Sequence, residues 1–155
     1  MSNRLDGPDI YRRIPHAGAM CLLAAVREWD ASGIVCTAHS HAQADHPLRE
    51  DGRLSSMHAI EYAAQAAALH ASLTGETGET VGTGEARALR RAYIAALHAV
   101  ELCSHSLDHD EMIRSPLEIR AQLTAAGATA ARYGFSVVCG AVCIARGTMT
   151  VAMPE

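Results

Sequence analysis

Glu61 is the only formally charged residue between Leu54 and Gly75, in a stretch otherwise dominated by Ala, Leu, Ile and Met. Burying a carboxylate among apolar side chains is unfavourable unless it is hydrogen-bonded or protonated, and burial raises its pKa towards the range where a carboxylic acid can hand over a proton. Upstream, His46 stands in the turn-rich run Asp45-His46-Pro47. An imidazole with a pKa of about 6.5 accepts protons at cellular pH. Together, a histidine and a carboxylate suit removal of a proton beside a thioester carbonyl and return of one to a leaving group. His58 and Gln65 lie three residues before and four residues after Glu61, on its face of a helix, and are expected to hydrogen-bond it.

The spacing predicts the elements that must hold these groups. Ser55 is a candidate N-cap, followed by a helix from Ser56 to Leu73 with Gly75 as its stop. Alanines at 59, 63, 64, 66, 67, 68 and 71 leave this helix without a polar face, so it must be buried by the sheet or by a partner. The unsatisfied N–H groups at its start, on Ser56 and Met57, are expected to polarise a bound carbonyl. The set expected to contact substrate is Ser56, Met57, His58 and Gln65.

Met20 to Val26 and Ile34 to Ala38 read as two strands joined by a short turn at Trp29–Gly33. Thr74 to Gly84 reads as a loop, and Ala86 to Leu107 as mainly strand, although Arg87 to Ala99 also has helical propensity. Leu117 to Leu123 alternates strictly, and Tyr133–Cys139 and Val142–Met153 are further apolar strands with Gly140 turning between them. Strands, one apolar helix and more strands make an α+β pattern in which an antiparallel sheet wraps a central helix, the hotdog architecture. A single domain over 1–155 is expected, with a polar surface segment at 1–13 and a dimer covering the open side of the helix.

Composition narrows the classes. The 155 residues carry a net charge of −4 and no lysine, which argues against a nucleic-acid binder. Thirty alanines and only 4% aromatics put the apolar content in small side chains. Five cysteines without a framework spacing fit a reducing, cytoplasmic setting. Leu54–Leu73 carries His58, Glu61, Gln65 and His70 and makes a poor membrane span. His39-Ser40-His41, Cys103-Ser104-His105 with His109, and Cys139-x3-Cys143 match no established zinc spacing, so no metal or other cofactor is expected.

Ile14-Pro15-His16, Asp45-His46-Pro47 and Ile60-Glu61-Tyr62-Ala63-Ala64-Gln65-Ala66 resemble the β-hydroxyacyl-ACP dehydratases of the hotdog superfamily. The similarity is greatest to a divergent short branch associated with fatty-acid or aryl-polyene-type biosynthesis. It implies that His46 and Glu61 are the catalytic pair, contributed by different subunits. His46 would take the α-proton of a (3R)-hydroxyacyl thioester and Glu61 would protonate the departing hydroxyl, giving the trans-2-enoyl product. The implied partners are an acyl carrier protein and a second hotdog subunit, identical or different. Arg12 with Arg13, Arg49 with Arg53, and Arg87 with Arg90 and Arg91 are candidate contacts for an acidic carrier. Two other readings stand beside this one: a hotdog thioesterase acting through Glu61, and a non-catalytic subunit that lends a half-site to a competent dehydratase.

Overall fold

The computed structural model describes residues 4–14, 16–77 and 92–152. Its elements run β1 (Leu5–Asp6), α1 (Gly7–Tyr11), β2 (Ala25–Trp29), β3 (Gly33–Ala38), α2 (Ala59–Thr77), β4 (Tyr93–Leu102), β5 (Leu117–Ala126), β6 (Ala130–Cys139) and β7 (Val142–Ala152). The strands form one antiparallel seven-stranded sheet in the order β1-β2-β3-β5-β6-β7-β4, with α2 packed across β3, β5, β6 and β7. This is the hotdog fold, with β1 and β4 as the edge strands among the described residues.

Helix α2 is central because it has almost nothing to give to water. Ala59, Tyr62, Ala63, Ala66, Ala67 and Leu69 are fully buried, and small side chains let the strands of the sheet approach the helix backbone. A stripe through Ile60, Glu61, Ala64, Ala68 and Ala71 remains half-buried, as do Ser72 and Thr74 near the end of the helix. A 3-10 turn, Ser56–His58, leads into the helix, and the Ser55 hydroxyl caps it by accepting from the Met57 amide at 3.2 Å. The helix does not stop at Gly75 but runs to Thr77. Leu117 to Leu123 falls within β5, with Leu117, Ile119 and Ala121 turned inwards as the alternation requires.

Near the N-terminus one expectation is refined and one corrected. The N-terminal segment lies at the surface, with Arg4, Asp6, Pro8, Asp9, Tyr11 and Arg12 exposed, but it is anchored: Leu5 and Asp6 pair with Val26 and Ala25, and Ile10 is fully buried. Met20–Val26 does not form a strand throughout, since sheet pairing begins only at Ala25. The reason lies in side chains that take the backbone groups a strand would use. Gln65 accepts from the Leu22 amide and donates to the Met20 carbonyl, while Ser40 donates to the Leu22 carbonyl. The strand expected across 86–107 is β4 at Tyr93–Leu102, and the stretch 78–91, with Arg87, Arg90 and Arg91, lies outside the described residues. Close packing of β4 on β7 depends on Gly147, where an added Cβ would stand 2.9 Å from the Val100 Cα.

Candidate active site

The loop ahead of α2 is fixed by an ion pair. Arg49 bonds Asp108 through one guanidinium nitrogen and the Gln43 carbonyl through another at 2.8 Å, while the Asp108 carboxylate also accepts from the Leu54 amide at 3.2 Å. With only 15% and 16% of these two side chains exposed, Arg49 is structural and not open to a carrier protein. Segment 105–107 adds backbone bonds from Ser56 N–H to the His105 carbonyl and from Leu107 N–H to the Leu54 carbonyl. The loop bearing His46 and the start of the helix are therefore held by the chain that follows β4.

His46 is buried, 4% exposed. The Leu48 amide donates to its Nδ1 at 3.1 Å, so Nε2 carries the hydrogen and donates to the Tyr62 hydroxyl at 3.0 Å. Tyr62 in turn donates to Ser40 at 2.6 Å, because the Ser40 hydrogen is committed to the Leu22 carbonyl at 2.9 Å. Burial first, then the Arg49 charge, holds His46 below its ordinary pKa, and burial raises that of Tyr62 to about 12. Every donor in this run has an acceptor.

One helix position earlier, Glu61 points elsewhere. His16 Nε2 lies 2.8 Å from its Oε1, and Gln65 donates to the same oxygen at 3.2 Å. Burial alone would raise the Glu61 pKa, but the hydrogen bonds from His16 and Gln65 and the nearby His16 and His58 charges outweigh it, and the value falls below the ordinary one. The expectation that burial would leave Glu61 a proton donor is thus reversed: it rests as a carboxylate. His46 and Glu61 do not meet within the chain, although His58 bears electrostatically on both.

The remaining predicted contacts divide. Gln65 is fully buried and does bond Glu61, as its spacing requires, but its amide is spent on Leu22, Met20 and Glu61. The carbonyl-polarising role of Ser56 and Met57 is not supported, because their N–H groups already serve the His105 carbonyl and the Ser55 hydroxyl. His58 N–H likewise donates to the Ser55 carbonyl, and the Met57 side chain is exposed. Sequence reasoning missed His16, Tyr62 and Ser40 as site residues. Ile14-Pro15-His16 stands out only as a family motif, and nothing in its distance along the chain announces that it meets Glu61.

The cysteine and histidine runs scatter. His41 is buried with Nε2 on the Met112 carbonyl at 2.9 Å, whereas His39 is exposed beyond the end of β3, so the two do not share one side of a strand. Cys139 donates to the same Met112 carbonyl, and Cys143 lies 3.3 Å from Cys103. Among the described residues, no three His, Cys, Asp or Glu side chains converge as metal ligands would. No described helix is long and apolar enough to cross a membrane.

The sheet wrapped on an apolar helix, with one half-buried carboxylate near the helix start, defines a hotdog-fold protein. More particularly, the chain belongs to the ApeP dehydratase family, whose family model matches residues 8–155. Among solved structures it is similar to a chain of the dehydratase heterocomplex ApeI:P from Xenorhabdus doucetiae, with 19% identity, 94% of this chain and 91% of that one covered, and a TM-score of 0.75. It is also similar to the PaaI protein of the E. coli phenylacetic acid degradation operon, with 14% identity, 82% and 80% coverage and a TM-score of 0.55. A hypothetical thioesterase with coenzyme A from Streptococcus pneumoniae gives 11% identity, 84% coverage of both chains and a TM-score of 0.53. No curated protein matches the sequence.

Proposed function

We propose that the chain is one half of a hotdog dehydratase that eliminates water from a (3R)-hydroxyacyl thioester, carried on an acyl carrier protein, to give the trans-2-enoyl thioester. The observation that carries this is Glu61, a carboxylate on the central helix that among the described residues is tied through Oε1 alone, to His16 and Gln65, and that does not meet His46 of its own chain. Resting ionised, it is the group that takes the α-proton. An opposing imidazolium gives a proton to the departing β-hydroxyl, which leaves as water, and the proton on Glu61 then passes back to the imidazole.

That imidazole belongs to a facing subunit. His46 of a second copy is the pairing the sequence suggests, but its ring nitrogens are both engaged, which favours a histidine from a different hotdog chain. Family membership alongside the ApeI:P heterocomplex supports such a partner, as do the half-buried stripe of α2 and the exposed Tyr93, Leu97 and Leu102 of the edge strand β4. The test is dehydration of a 3-hydroxyacyl-carrier substrate by the chain alone and with a partner hotdog subunit. Activity is expected only in the complex and lost in Glu61→Gln, and a folded Glu61→Gln complex that keeps its turnover would sink the reading. A carboxylate held ionised also suits activating water on a thioester, so acyl release read in the same assay decides between elimination and the thioesterase reading.

A further inference from the structure

His16 has no place in the pairing that the sequence suggests, yet it makes the shortest contact to the carboxylate. Its Nε2 lies 2.8 Å from Glu61 Oε1, and the two side chains are 25% and 30% exposed, so the bond is partly shielded from water. The other ring nitrogen, Nδ1, is enclosed by protein and has no partner among the described residues. A carboxylate oxygen only accepts, so Nε2 carries a hydrogen and donates it to Glu61. Gln65 donates to the same oxygen, and its amide cannot turn, because the Leu22 N–H requires an oxygen and the Met20 carbonyl a nitrogen. Oε1 therefore receives both donors. Oε2 accepts none among the described residues, and it is not one of the enclosed polar atoms left without a partner.

We propose that His16 is a positioning residue for Glu61: its Nε2–H and the Gln65 amide lock Oε1, so that Oε2 is presented to the substrate as the proton-exchanging oxygen. The proposal deepens the dehydratase reading and rests on it. A carboxylate with one oxygen clamped cannot rotate to exchange its two oxygens without breaking a charge-assisted hydrogen bond, so the reacting lone pair keeps a fixed direction. The titratable groups bearing on Glu61 are His16, from the segment between α1 and β2, and His58, from the helix entry. His58 is unchanged in every variant below.

The experiment compares the full chain, in complex with its partner subunit, as wild type, His16→Phe and His16→Gln. Phenylalanine keeps a ring without a donor, and glutamine keeps an N–H near the same place. His16→Phe is expected to lower kcat on the order of 10- to 100-fold with little change in KM. It should also move the acid limb of the pH–rate profile to higher pH, because the carboxylate has lost its donor. His16→Gln should recover most of both. An unmoved limb and unchanged kcat in a folded His16→Phe complex would overturn the proposal while leaving the dehydratase reading intact. Turnover surviving in Glu61→Gln would overturn the reading itself. A third readout is independent of activity: carbon NMR titration of the labelled Glu61 carboxyl in the wild-type chain should place it below an ordinary glutamate and should shift upward in His16→Phe. A Glu61 that titrates at or above the ordinary value refutes the clamp.

Discussion

Glu61 and Tyr62 are neighbours on one helix, and each meets a histidine from the chain that precedes it, but the two meetings end differently. On the Tyr62 side the run His46, Tyr62, Ser40, Leu22 carbonyl is closed: each hydrogen has an acceptor, and His46 and Tyr62 are buried. On the Glu61 side the circuit is open, with no donor to Oε2 and no partner for the His16 Nδ1 among the described residues. Both anchor on Leu22, the open one through the Gln65 carbonyl and the Leu22 amide, the closed one through Ser40 and the Leu22 carbonyl. A satisfied buried network fixes a fold, and a polar group left with spare capacity at the surface of such a network is where substrate can enter the bonding.

The most direct way to break this comparison is to remove the open carboxylate. Glu61→Gln keeps the shape and loses the base, so turnover of the complex should fall by about 10²- to 10⁴-fold while the melting temperature barely moves. A thermal melt beside the dehydration assay separates the two. Equal damage to stability would place Glu61 with the structural residues.

Next in size is the ion pair beneath the closed side. Arg49→Ala leaves Asp108 partly buried without its partner and frees the loop that carries His46, and it should destabilise the chain by roughly 3 kcal/mol in chemical denaturation. Activity per folded molecule should change little, because Arg49 touches neither Glu61 nor His16. A loss below about 0.5 kcal/mol, the size of an ordinary surface substitution, would show that the loop is held some other way. Tyr62→Phe is milder. It strands the His46 Nε2–H and the Ser40 hydroxyl oxygen, and about 1–3 kcal/mol of stability should go, with turnover in the complex retained. If turnover falls as far as in Glu61→Gln, the closed run is chemical and His46 regains the part the family motif gives it.

How much of this the sequence could yield follows from the range of each interaction. The α+β order, the buried helix and the singularity of Glu61 are legible because they rest on local periodicity and on the unfavourable desolvation of a lone charge. Gln65 is legible for the same reason, being one helical turn from Glu61. His16 and Tyr62 are not. His16 meets Glu61 from far along the chain, and Tyr62 is indistinguishable from the other core residues of its helix until the two partners of its hydroxyl are known. The expected rise in the Glu61 pKa is not met because burial was counted while the larger of the donors that offset it, His16, had no visible address along the chain. The helix-start N–H groups failed likewise, since Ser55 and His105 occupy them.

The smallest effect is the pH dependence of the closed side. His41 and His46 are both held below the ordinary value of 6.5, chiefly by burial. As pH falls through that value the unfolded chain takes up protons that the folded chain refuses, so the stability these neutral rings confer is complete above about 6.5 and drains away towards their lower folded values. The melting temperature should therefore decline between about pH 7 and pH 5, a window above the range in which Glu61 titrates, since its carboxyl lies below the ordinary 4.5. His46→Gln cannot titrate and removes one of the two contributions. Its melting temperature should start lower at pH 7, because the bonds to Tyr62 and Leu48 are poorer, yet fall less steeply with acid than the wild type. Parallel slopes for wild type and His46→Gln would mean that folding does not shift the His46 pKa, while a steeper fall in His46→Gln than in the wild type would mean that His46 carries a proton when folded, and the circuit drawn as closed would have to be redrawn with Nδ1 as a donor and the Leu48 amide displaced.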